Sequence, residues 1–68
     1  MIKSYQFQNS SMLSSCSYND EKRELSVTFT NGKEYTYVDV DKRIYDELIS
    51  ARSAGKYFNI VKKDLVQK

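Results

Sequence analysis

The sequence predicts an α+β fold: a three-stranded antiparallel β-meander with one amphipathic helix packed on one face and a short C-terminal element. Three observations predict it. Residues 24–30 read Glu-Leu-Ser-Val-Thr-Phe-Thr, with Leu25, Val27 and Phe29 on one side, the period of a half-buried strand. Asn31-Gly32 follows at once, the strongest short hairpin signal. Farther on, Ile44, Leu48 and Ala51 recur at helical spacing, flanked by Tyr45 and Ile49.

The elements follow in order. Residues 12–18 are expected to form the first strand, after a short polar patch at Asn9-Ser10-Ser11. Asn19-Asp20-Glu21-Lys22 is a polar turn. The second strand is 24–30. The return strand is 33–39, rich in Tyr, Thr and Val. Asp41 is placed to cap a helix by accepting from free N–H groups of its first turn. The helix is expected over 42–54, with Gly55 at the position of a left-handed C-terminal cap. Residues 60–66 fit either a further helical turn or a strand.

The length of the Asn31-Gly32 turn decides the surroundings of Tyr35 and Tyr37. A two-residue turn sets Thr28 opposite Tyr35 and turns both tyrosines to solvent, as a stacking platform for bases or a subunit contact. A three-residue turn ending in a glycine bulge sets Val27 opposite Tyr35 and turns both into the core. A one-residue slip flips a whole strand, and burial favours the second register.

At 68 residues the chain is one domain, 1–68, with no internal boundary. A domain this small buries only about 60% of the surface its unfolded chain exposes. Cys16 is the only cysteine and there is no histidine, so neither an intrachain disulfide nor a Cys/His zinc site can add stability. Oligomerisation remains, and a homo-oligomer is expected. No apolar run is long enough to span a membrane. The N-terminus lacks the apolar stretch of a secretion signal. The single thiol suits a reducing compartment, so the expected location is cytoplasmic.

The pattern Leu25-x-Val27-x-Phe29-x-x-Gly32-x-x-Tyr35-x-Tyr37, then Val40, Tyr45, Leu48 and Ala51-x-Ser53-x-Gly55-Lys56-Tyr57-Phe58-Asn59, resembles the KTSC domain family. That family is named for its occurrence at the C-terminus of some lysyl-tRNA synthetases, and it also occurs as small single-domain proteins of bacteria and phages. The likeness covers roughly residues 11–65. The Tyr-x-Tyr pair alone is weak; with the Ala-x-Ser-x-Gly-Lys-Tyr-Phe-Asn stretch at this distance it is specific. One departure is Asp41, where the family has proline; a capping aspartate starts a helix equally well. The resemblance implies this fold and points to RNA binding.

Catalysis is not expected. Without histidine the usual general base and nucleophile activator are missing. Cys16 has no basic neighbour in sequence to lower its pKa, and reads as a core residue. Asp39 and Asp41 are too few to hold a metal. Two glycines cannot make a Gly-rich phosphate loop. No cofactor is implied.

Charge and chemistry converge on the C-terminal quarter. Net charge is +2, but from Arg52 onward Arg52, Lys56, Lys62, Lys63 and Lys68 face one acid, Asp64, leaving this quarter at +4 and the remainder at −2. Such asymmetry suits a phosphate-bearing partner, although lysines near a helix end also suit an ordinary solvated tail. Arg52, Ser53, Lys56, Tyr57 and Asn59 bring cations, hydroxyls, an amide and aromatic surface around a tight helix end, and with Tyr35 and Tyr37 they are the candidate ligand-binding residues. The segment follows the C-terminus of the expected helix, whose partial negative charge does not attract phosphate, so the side chains must do the binding. Phe58 is expected to close the core.

The sequence therefore points to a non-catalytic binding module for a phosphate-bearing ligand, nucleic acid (RNA) first. One alternative is a homo-oligomer that sequesters a small nucleotide signal, as a phage protein disarming its host would. The other is a protein-interaction module docking through an edge strand or the tyrosine face.

Overall fold

The computed structural model describes residues 1–8 and 10–68; Asn9, in the expected polar patch, lies outside them. Among the described residues five strands form one antiparallel sheet in chain order: β1 (Ile2–Gln6), β2 (Leu13–Asn19), β3 (Glu24–Phe29), β4 (Glu34–Val38) and β5 (Val66–Gln67). Helices α1 (Lys42–Ser50) and α2 (Ala54–Val61) and a 3-10 turn (Lys62–Asp64) lie between β4 and β5. The α+β meander is as expected, but the sheet has five strands rather than three. Strands β1 and β5 are its edges, and neither buries a residue.

The β3–β4 hairpin adopts the three-residue turn. Val27 pairs with Tyr35 and Leu25 with Tyr37. The Phe29 N–H donates to the Lys33 carbonyl at 2.8 Å, and the Gly32 N–H to the Phe29 carbonyl at 2.9 Å. Gly32 has φ +90, a conformation that costs a side-chain-bearing residue energy. Both tyrosines consequently share the core face, Tyr37 buried and Tyr35 half-buried. The pairing of β2 with β3 shifts between Leu13 and Ser15. That bulge lets Leu13, Cys16 and Tyr18 all face the core although their spacing breaks strict alternation.

The helix expected over 42–54 ends at Ser50, and a second helix, α2, follows from Ala54. Asp41 caps α1, its carboxylate accepting from the Arg43 N–H at 3.1 Å. The chain leaves α1 at Ala51 in extended geometry, and Ser53, also extended, caps α2 by accepting from the Lys56 N–H at 3.4 Å. Gly55 is therefore in the first turn of α2 and not a C-terminal cap. Its lack of a side chain serves close packing, because a Cβ there would lie 3.1 Å from Met12 Cβ. The choice left open for 60–66 resolves in sequence: α2 runs to Val61, the 3-10 turn follows, and β5 begins at Val66.

The core lies between the sheet and the helices. Phe58 of α2 is fully buried with its ring 5.5 Å from Tyr37 and 5.9 Å from Phe29, both edge-on. Tyr45 of α1 stacks on Tyr18 at 5.8 Å. The Tyr18 hydroxyl donates to the Val40 carbonyl at 2.6 Å, so this buried polar group is satisfied. Burial thus centres on Tyr45 and Leu48 in α1, while Ile44 and Ala51 are half-buried.

Candidate functional site

The fold brings Arg52, Ser53, Lys56 and Asn59 to one cleft of about 510 Å³. Lys56 and Asn59 are three residues apart on α2 and so share a face; Arg52 and Ser53 precede its first turn. Ser53 is already engaged as the α2 cap. The Asn59 side-chain amide donates to Met12 Sδ at 3.7 Å. Tyr5, Phe7, Gln8 and Ser10, from the N-terminal part of the chain, also line it. The rings of Tyr5 and Phe7 meet edge-on at 5.2 Å, and Tyr5 remains 39% exposed.

Three electrostatic features characterise this cleft. Its described lining contains two cations and no carboxylate. Arg52 and Lys56 form no ion pair among the described residues. The helix field also differs from expectation: α2 begins at the cleft and contributes the partial positive charge of an N-terminus, while the end of α1 at Ala51 contributes the opposite sign. These helix ends oppose each other, and the two side-chain cations set the net sign.

The other three sequence candidates lie elsewhere. The Tyr57 hydroxyl donates to Glu47 Oε1 at 2.5 Å, which fastens α2 to α1. Burial and this bond push its pKa up to about 12. Tyr35 and Tyr37 line a second cleft of about 650 Å³ with Phe29, Lys33, Lys62 and Lys63. Burial, with Tyr35 nearby, raises the pKa of Tyr37. Cys16 is buried, and burial pushes its thiol up to about 12, so it holds no reactive thiolate near neutrality. Among the described residues no group of three or more Cys, Asp or Glu is placed to hold a metal ion. Among the described residues no helix is long and apolar enough to cross a membrane.

A family model described as the KTSC domain matches residues 9–64. The chain belongs to the KTSC domain family. It is 32% identical over 54 residues to a protein from Tsukamurella paurometabola, an overlap of 79% of this chain and 81% of that one. The crystal structure of a KTSC domain protein from Yersinia pestis superposes with a TM-score of 0.88 at 25% identity, covering all of this chain and 96% of the other. In this KTSC domain the Ala51-x-Ser53-x-Gly55-Lys56 stretch is thus the break between two helices and one wall of a cleft.

Sequence reasoning missed the N-terminal part of that cleft's lining. Tyr5 and Phe7 alternate along the N-terminal segment, a pattern that could have flagged a strand. Met12 gives no such signal, since its place under Gly55 depends on the tertiary fold.

Proposed function

We propose that this KTSC domain is a non-catalytic module that binds single-stranded RNA in the cleft at the start of α2. The observation that carries the reading is the lining: Arg52 and Lys56, which form no ion pair among the described residues and have no carboxylate in the described lining, share the cleft with exposed Tyr5 and half-buried Phe7. Cations hold phosphates, while exposed aromatic rings stack unpaired bases. Asn59, Gln8 and Ser10 offer donors and acceptors for base edges and the ribose 2′-hydroxyl. A chain of net charge +2 does not attract polyanions strongly by its overall field, so binding depends on this local arrangement.

Fluorescence anisotropy with a labelled RNA oligonucleotide of about ten residues tests the reading. Binding should weaken as salt rises, with a log–log slope of about −0.7 per phosphate contact. The double variant Arg52→Ala/Lys56→Ala should lose about tenfold or more in affinity and part of that slope. A tight, stoichiometric complex with a mononucleotide or cyclic nucleotide, and none with RNA, would instead favour sequestration of a small signal. The cleft volume lies within the range of small-ligand pockets.

A further inference from the structure

We propose that the second cleft is a continuation of the first, so that one RNA strand crosses Met12 and is held on both sides of it. The inference rests on the reading of the first cleft as an RNA site. Met12 lines both clefts. The segment carrying it is hydrogen-bonded: the Thr30 N–H donates to the Met12 carbonyl at 3.0 Å, and Thr30 Oγ1 to the Ser11 carbonyl at 3.1 Å. Leu13 N–H donates to Ser10 Oγ at 3.0 Å, closing the turn before β2. Met12 is therefore a half-buried apolar residue on a hydrogen-bonded turn, shared by the two openings.

The chemistry beyond Met12 repeats that of the first cleft. Lys33 on the β3–β4 turn and Lys62 and Lys63 on the 3-10 turn line it, and its described lining holds no carboxylate. None of these lysines forms an ion pair among the described residues. Tyr35, half-buried and edge-on to Phe29 at 5.5 Å, supplies aromatic wall. Asn31 and Gln67 supply amides. Three cations in one cleft with no acid among them repel one another and gain from a shared polyanion. A single phosphate-bearing nucleotide occupies one cleft; a continuous strand satisfies both.

The arrangement makes a length-dependent claim. Wild-type protein and the variants Lys33→Ala/Lys62→Ala/Lys63→Ala and Arg52→Ala/Lys56→Ala are titrated by anisotropy with labelled RNAs of about two and about ten residues. The longer RNA should bind wild type about tenfold or more tighter. The triple variant should lose that advantage while keeping its affinity for the short RNA, and its salt slope for the long RNA should fall by about 0.7 per contact removed. If the long RNA binds, Arg52→Ala/Lys56→Ala weakens it and the triple variant does not, the continuous track is wrong and the single-cleft reading stands. If neither RNA binds wild-type protein, the single-cleft reading fails and the track fails with it.

Discussion

The Tyr57 hydroxyl on α2 hydrogen bonds to the Glu47 carboxylate on α1 at 2.5 Å, across the break at Ala51–Ser53. The bond ties the two helices together and commits Tyr57 to structure. Tyr57→Phe should lower stability by up to about 1 kcal/mol, since Glu47 is exposed and water competes for it. RNA affinity should be unchanged, because Tyr57 does not line the first cleft. Urea denaturation and anisotropy on the same variant check both halves.

A buried counterpart joins Tyr18 to the Val40 carbonyl at 2.6 Å. Tyr18→Phe keeps the ring stacked on Tyr45 but leaves that carbonyl without its partner. The expected loss is about 1–3 kcal/mol, larger than for Tyr57→Phe because no water replaces the hydroxyl. Chemical denaturation of the two variants side by side measures the difference.

Alkaline pH should destabilise the fold through Cys16. Its thiol keeps its proton to about pH 12 when folded, against an ordinary value of 9.0. The unfolded chain releases that proton first, so the folded state binds more protons across this window. Stability is full below about pH 9 and falls above it by about 1.4 kcal/mol per pH unit from this group. Cys16→Ala lowers stability at neutral pH but should flatten the fall between about pH 9 and pH 10. Denaturation midpoints against pH for both proteins decide it, and Ellman's reagent should react with Cys16 only once the chain unfolds.

Arg23 turns the chain between β2 and β3 with φ 55. A side chain in this left-handed region costs about 1–2 kcal/mol, partly offset in a glycine variant by about 0.5–1 kcal/mol of chain entropy. Arg23→Gly should therefore raise stability by about 0.5–1 kcal/mol, while Arg23→Ala, which keeps its Cβ, should give no gain. Thermal melts of the pair test this.

What the sequence disclosed followed from local rules. Strict alternation at Leu25, Val27 and Phe29, with Asn31-Gly32, placed the hairpin, and burial selected the register that sets Val27 against Tyr35. Asp41 as cap was equally local. The helix break was hidden because Ala51 continues the apolar spacing of Ile44 and Leu48, and Gly55 suits a helix end as well as a close approach. Only the position of Met12 distinguishes these. Strand β1 was not expected, because an edge strand that buries nothing carries only a faint period, here the alternation of Tyr5 and Phe7; for 60–66 a helical turn and a strand stayed open because β5 is a two-residue edge that buries nothing. The site was legible as a basic stretch, Arg52 to Asn59. Its aromatic side was not, since Tyr5 and Phe7 reach it through the sheet from the other end of the chain.

The most direct test of the central claim is a two-dimensional amide NMR titration of the labelled domain with a short single-stranded RNA. The account expects shifts at Tyr5, Phe7, Arg52, Ser53, Lys56 and Asn59, with the open sheet face unmoved, where Ser17, Ser26 and Thr36 pair side by side on the side of the sheet away from the core. Shifts confined to that open face, or none at RNA concentrations well above those of the protein, would contradict it.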